Sequence, residues 1–255
     1  MLIDMNCDMG EGCGNDAELM RYIYSANIAC GFHAGDLDTM RRTVELALTH
    51  GVAIGAHPGY RDRENFGRTS ASLSRAEVID IISEQIAALK NVCDDLGAKL
   101  HHVKPHGALY NQAAKDQALA AAVADAVRGA SPDLILYGLS GSFLISEAKA
   151  CGLRAASEVF ADRTYQTDGT LTPRTEPDAL IKDSKDAVAQ ALQMIQKQTV
   201  TATTGEAISI RADTLCIHGD GEHAVAFAKE IRTAFEECGI AIRACDPSAT
   251  QTGPL

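Results

Sequence analysis

The stretch Ser25-Ala-Asn-Ile-Ala-Cys-Gly-Phe-His-Ala-Gly-Asp36 begins as a short apolar run of small residues and breaks at Gly31. A strand enclosed on both faces reads as such a run rather than as an alternation. His33 and Asp36 then stand beside Gly31 and Gly35, and a helical pattern resumes at Asp38. A strand that ends in glycines and polar side chains before a helix is the unit from which α/β enzymes build their sites.

Working outward, the same unit recurs. Residues 2–6 read as a strand that ends in Cys7-Asp8-Met9-Gly10-Glu11-Gly12, and residues 16–24 as a short helix. Residues 38–50 carry apolar side chains at helical spacing and stop at Gly51, a C-cap residue. A strand over 52–56 ends in His57-Pro-Gly, and the capping box Ser74-Arg-Ala-Glu77 opens a helix to about Leu96. A strand over 99–103 delivers Lys104-Pro-His106.

Further helices are predicted over 116–128, 142–151, 184–198 and 222–238, with strands over 134–138, 154–160, 213–217 and 240–244. Residues 164–177 form a long polar segment of the kind that is more often functional than idle. Residues 199–211 carry no clear pattern, and the tail 246–255 is polar and loose. No linker, repeat or composition break divides the chain, so residues 1–255 read as one β/α barrel domain, irregular and seven-stranded. A doubly wound open sheet is the alternative, because periodicity does not separate the two.

Composition narrows the function. The net charge is −11 without a basic cluster, which argues against nucleic acid and anionic membranes. No apolar run reaches membrane-spanning length and no signal peptide is evident, which points to the cytoplasm. Eight scattered cysteines without a C-x-x-C pair read as reduced thiols there. Neither G-x-G-x-x-G nor a phosphate loop occurs, so ordinary phosphate-loop nucleotide binding is not supported.

The chemistry keeps to the carboxyl ends of the strands. Asp8 and Glu11 follow the first strand, and Asn27, His33 and Asp36 belong to the second. His57 follows the third, and Lys104 and His106 the fourth. Glu158, Asp162 and Arg163 accompany the sixth, His218 and Asp220 the seventh. In a parallel barrel these ends share one face, where active sites form.

Duller readings exist. His50, His101, His102 and His223 read as surface or structural residues, although His102 shares a strand face with Lys104 and points inward if Lys104 does. Asp38 and Asp220 suit helix caps, and Arg68 suits a loop ion pair. Four histidines on one face outweigh these alternatives.

Histidine and carboxylate together suit a divalent metal and an activated water, with His33, His57, His106 or Asp8 as ligands. Without an H-E-x-x-H motif, a metal is permitted rather than required. Lys104 suits an electrophile or, if desolvated, a nucleophile. Asp8, Glu11, Glu158 and Asp162 suit general acids and bases. The residues alone lead to hydrolysis or group transfer on a small polar substrate.

The strings Asp4-Met-Asn-Cys-Asp-Met-Gly-Glu-Gly12, Ser25 to Asp36 and Gly55-Ala-His-Pro-Gly-Tyr60 resemble the 5-oxoprolinase A-subunit family, also known as LamB/YcsF. Val103-Lys-Pro-His-Gly-Ala-Leu-Tyr-Asn111, Glu158-Val-Phe-Ala-Asp-Arg163 and Cys216-Ile-His-Gly-Asp220 extend the match in order. Cys13 replaces a usual aromatic, and the loop 61–69 lacks a usual proline and a second arginine.

The resemblance implies a barrel similar to the glycoside hydrolase/deacetylase superfamily and ATP-dependent opening of the 5-oxoproline lactam to L-glutamate. It also implies two partner proteins, subunits B and C. Asp8, His33, Asp36, His57, Lys104, His106, Glu158, Asp162 and His218 fall in its motifs as catalytic candidates. Glu11, Asn27, Arg68, Arg163 and Asp220 are the candidates for substrate binding. A stand-alone metal-dependent deacetylase or amidohydrolase, and a non-catalytic protein that presents the lactam to a partner, are the competing readings.

Overall fold

The first strand shows how the molecule is organised. Along β1 (Leu2–Met9), Ile3, Met5, Cys7 and Met9 are buried among the surrounding helices. Asp4, Asn6 and Asp8 alternate with them and point the other way, as the period of two requires. Polar residues on the inner face are the first sign of an unusual barrel.

The computed structural model describes residues 1–218 and 224–246. After β1 come α1 (Asp16–Leu19), β2 (Ser25–Ala29), α2 (Leu37–His50), β3 (Ala53–His57) and α3 (Arg75–Asp95). There follow β4 (Leu100–Val103), α4 (Gly107–Lys115), α5 (Gln117–Ala130), β5 (Ile135–Leu139) and α6 (Phe143–Ala150). The chain continues through β6 (Arg154–Phe160), α7 (Ser184–Lys197), β7 (Thr199–Thr201) and β8 (Ala207–Ser209). It ends with β9 (Thr214–Ile217), α8 (Ala224–Glu237) and β10 (Ala241–Ile242).

Strands β1 to β6 run parallel in sequence order, and β9 pairs with both β6 and β1. That second pairing, Asp4 opposite Thr214, closes a seven-stranded barrel and removes the open-sheet alternative. β10 adds to β1 from outside. The capping box at Ser74 and Glu77 and the left-handed Gly51 cap form as predicted.

Three segments differ from the sequence reading. The helix over 16–24 is one turn, because Tyr24 N already donates to Met5 O and commits the chain to β2. Helix α4 was hidden: it opens on His106 and a left-handed Gly107, neither a helix-start signal. The excursion 199–211 is an antiparallel hairpin of β7 and β8, tied to the long loop by a bridge between Tyr165 and Ala202.

The main apolar core lies between helices and sheet, built from Val, Ile, Leu and Ala side chains such as Val44, Ile82, Leu89, Val123 and Leu136. The barrel centre is different. Its only apolar cluster among the described residues is Ile135, Tyr137 and Ala156, with Cys245 packed against it. Above these, Asp4 accepts hydrogen bonds from Ser25 Oγ at 2.9 Å, Tyr137 Oη at 3.0 Å and Thr214 Oγ1 at 2.7 Å. Burial still pushes the Asp4 carboxyl up to about 6, although these hydrogen bonds pull it down.

Asn6 Nδ2 donates to Thr214 Oγ1 at 2.7 Å, and Asn27 Nδ2 to Asn6 Oδ1 and Asp8 Oδ1 at 2.8 Å each. The Nε2–H of His102 donates to Asn27 Oδ1 at 2.8 Å, and its ring stacks on Tyr137. A hydrogen-bonded column therefore rises from Asp4 to Asp8.

Candidate functional site

At the carboxyl mouth of the barrel the column ends in Lys104. Its Nζ lies 2.9 Å from Asp8 Oδ1, 2.9 Å from Glu158 Oε1 and 3.1 Å from Cys216 Sγ. Burial disfavours the ammonium, but Asp8, Cys216 and Glu158 hold its pKa well above the lysine range. Lys104 is therefore a fixed cation, and of the two roles open in the sequence the electrophile fits and the free amine does not. Asp8 is held well below the carboxylate range by His57 and Lys104, against the effect of its burial.

Beside this pair, Glu11, His33, His57 and His106 converge from the ends of four successive strands. Glu11 Oε1 lies 3.0 Å from His33 Nε2, 3.2 Å from His106 Nδ1 and 3.7 Å from His57 Nε2. The rings of His33 and His106 stack with centroids 3.7 Å apart. Burial lowers His33 to about 4 and lowers His106 too. Burial works against the Glu11 carboxylate, but its close contacts with His106 and His33 win and hold its pKa below the usual carboxylate range.

The loop between β3 and α3 seats these rings. Asp62 accepts from the backbone N–H groups of Asn65 and Thr69 and folds the loop over the site. Phe66 adopts φ 57°, a left-handed conformation that a bulky residue rarely takes. The result is that Phe66 O accepts from His106 Nε2–H at 2.9 Å. Next to it, a Cβ on Gly67 would lie 2.8 Å from His33 Cβ, so the loop reaches its place only because residue 67 lacks a side chain.

Across the mouth, His218 Nδ1 lies 2.9 Å from Asp162 Oδ2, and Phe160 stacks on the imidazole. His218 holds the Asp162 carboxyl below its usual value, against burial. Arg163 is turned into its own loop, where it donates to Ala179 O at 3.2 Å and Thr172 O at 2.5 Å. Burial brings its pKa down to about 10. The long segment after β6 is thereby braced as a wall.

Asp8, Glu11, His57, Lys104, His106 and His218 line a cavity of about 710 Å³, whereas His33 faces a second one. Lys104, Arg68, Lys115, Arg163 and Arg174 all border the first, in a chain whose net charge is −11. Glu11 and Phe66 also border the second cavity, of about 650 Å³, lined by Gly10, Gly12, Gly14, Arg42 and Arg63.

Most of the residues singled out from sequence meet at this mouth: Asp8, Glu11, His33, His57, Lys104, His106, Glu158, Asp162, Arg163 and His218. Arg68 borders the cavity with its guanidinium 5.0 Å from the Phe66 ring centre. Asn27 is wholly buried one layer down, as a joint of the column. Asp36 stands outside the histidine cluster but borders the second cavity with Glu11 and His33. It is exposed and caps α2, accepting from Thr39 N at 2.8 Å, so it and not Asp38 is the cap. Asp220 lies outside the described residues. Sequence reading missed Cys216, Tyr110 and Phe66 as site neighbours; the first two sat inside the recognised strings, and only alternation could have turned Cys216 inward.

Two donor groups could share an ion: Glu11, His33, His57 and His106, and Asp8, Cys216 and His218, each with ligand atoms within 4.8 Å of one another. The eight cysteines form no disulfide. Among the described residues no helix is long and apolar enough to cross a membrane.

The LamB/YcsF family model matches residues 3–250. The chain is 55% identical over 247 residues to the 5-oxoprolinase A-subunit of Bordetella pertussis, covering 95% of this chain and 98% of that one. It is 55% identical over 246 residues to the 5-oxoprolinase A-subunit of Geobacillus kaustophilus, covering 95% and 96%. The lactam utilization protein of Thermus thermophilus superposes with a TM-score of 0.90 at 42% identity, over 96% of this chain and 100% of that one. The catalytic domain of a peptidoglycan N-acetylglucosamine deacetylase from Eubacterium rectale shares the fold alone, with a TM-score of 0.51 at 11% identity over 100% of this chain and 90% of that one.

Proposed function

Because the chain belongs to the LamB/YcsF family, we propose that it is the A-subunit of a 5-oxoprolinase, which opens the lactam of 5-oxo-L-proline to L-glutamate with ATP and partner subunits B and C. The observation that carries this reading is the cavity, which sets a cation-rich border around one buried ammonium and one carboxylate–imidazole pair. 5-Oxoproline is a small anion with a single unactivated amide. Arginines at the border suit its carboxylate, and the Lys104 ammonium suits charge that gathers on the lactam oxygen.

An amide carbonyl is a poor electrophile. Transfer of the terminal phosphoryl group of ATP to the lactam oxygen, with ADP leaving, activates the ring carbon. Water adds there, the C–N bond breaks as the ring nitrogen takes a proton, and a second water hydrolyses the resulting acyl phosphate to L-glutamate and phosphate. Asp162 fixes His218 through Nδ1, which leaves Nε2 as the base for the first water. Asp8, His33, His57, His106 and Glu158 complete the catalytic set in this reading, and Glu11, Arg68 and Arg163 the binding set. Thiols held apart from disulfides suit action in the reducing cytoplasm.

The test mixes the chain with its two partner proteins and measures ADP release. Release should require 5-oxoproline and all three proteins, and Lys104→Ala and His218→Ala should abolish it while circular dichroism stays unchanged. Hydrolysis of simple amides by the chain alone, without ATP, would instead favour the stand-alone amidohydrolase.

A further inference from the structure

The imidazoles at the mouth carry an arrangement that hydrogen bonds between neutral rings do not explain. His57 Nδ1 lies 2.7 Å from Lys104 O, and His106 Nε2 lies 2.9 Å from Phe66 O. A carbonyl oxygen only accepts, so each of these nitrogens carries its ring's proton. The remaining nitrogens, His57 Nε2 and His106 Nδ1, are then bare in the neutral rings, and they face each other at 2.9 Å. Glu11 Oε1 adds a third lone-pair donor, 3.7 Å from His57 Nε2 and 3.2 Å from His106 Nδ1, and Asp8 Oδ2 a fourth, 3.4 Å from His57 Nε2.

Lone pairs do not gather in a buried space without a positive charge between them. Here that charge is either a proton on His57 Nε2, favoured by Asp8 and Glu11, or a bound cation in its place. Ligand atoms bound about 2.0–2.2 Å from one ion lie about 2.8–3.6 Å from each other, close to the 2.9–3.7 Å found here. The outward protons of His57 and His106 are also donated to backbone carbonyls, the usual support of a metal-bound imidazole. We propose that Glu11, His57 and His106 form a binding site for one divalent transition-metal ion, with the Asp8 carboxylate alongside.

Two imidazoles and one carboxylate leave positions open on the ion, and all three residues border the larger cavity. His33 stands outside the ligand set. Its ring lies parallel to His106, 3° between planes, so the two cannot both aim an in-plane lone pair at one ion. It holds Glu11 instead, through Nε2. His101 and His102 also face each other, through Nδ1 atoms 3.1 Å apart, but their other ring nitrogens are taken by Cys245 O and Asn27 Oδ1. The carboxylate is what separates a metal site from a pair of rings sharing a proton.

The proposal rests on side-chain geometry and is independent of 5-oxoproline turnover. The experiment strips the full chain with a chelator, dialyses it against Co²⁺, Zn²⁺ or Mn²⁺ in turn, and measures bound metal and visible absorption. One ion per chain is expected, with a Co²⁺ spectrum of nitrogen and oxygen ligands. Glu11→Gln, a neutral isostere, and His57→Asn should each weaken binding by more than the roughly 10–100-fold lost with an outer-shell partner. Asp36→Asn, on the exposed cap, should bind as the parent does. Substoichiometric metal in the parent chain, a cobalt–thiolate band that places the ion on cysteines, or unchanged affinity in Glu11→Gln would overturn it. The first and last of these hold whether or not His57→Asn folds.

Discussion

The imidazole of His102 occupies the space in which residue 55 would carry its side chain. The two residues are register partners on neighbouring strands, and a Cβ on Gly55 would lie 2.1 Å from His102 Nε2. That nitrogen is fixed by its hydrogen bond to Asn27, so it cannot swing away cheaply. Gly55→Ala should therefore cost about 3 kcal/mol or more in urea denaturation, at the upper end of overpacking effects. Adding His102→Ala should recover part of the loss. A Gly55→Ala protein as stable as the parent would show that the barrel centre yields.

Lys104→Met tests the charge at the mouth. It leaves Asp8 and the fully buried Glu158 without their shared cation. Breaking such a pair from one side costs about 3–5 kcal/mol. Lys104→Met/Glu158→Gln should restore most of the stability without restoring ADP release, which separates folding from chemistry.

The pH dependence of stability should carry the mark of Asp4. Its carboxyl is raised from 3.8 to about 6, so the native protein holds this proton more tightly than the unfolded chain. The resulting stability is fully present below about pH 4 and is lost as the pH rises through 6. Between pH 4 and 7, Asp4→Asn should gain on the parent by up to about 3 kcal/mol. Parallel stability curves for the two proteins would contradict this.

Asp162→Asn should lower 5-oxoproline-dependent kcat by about 10²–10⁴-fold, because the His218 ring loses the acceptor that sets its proton on Nδ1. Melting temperature should change little. If kcat is retained, the base lies elsewhere.

How much of this was legible in the sequence differs by level. The parallel order, the strand ends and the histidine set follow from short apolar runs broken by glycine, a signal that survives without tertiary context. Asp36 caps α2 at the edge of the second cavity, apart from the histidine cluster. Sequence does not separate the two, because a cap carboxylate and a site carboxylate look alike beside glycine and histidine. Helix α4 was missed because His106 serves the site and starts the helix at once. The polar column was in plain view in Leu2 to Met9, where apolar and polar residues alternate. Alternation normally marks a strand with a wet face, and only barrel closure turns that face inward. Distances such as His57 to His106 have no local code at all, since they arise from loops that meet in space.

The division of the interior has a consequence for how this protein can change. The column from Asp4 to Asp8 fills the axis with groups that orient the mouth, while cohesion comes from the aliphatic ring between sheet and helices. Orientation and cohesion are thus assigned to separate concentric shells. Hardening the outer shell leaves the alignment of Lys104 untouched, whereas greasing the axis would strengthen the barrel and blind its mouth. Thermal adaptation and change of substrate can proceed along different radii of the same molecule.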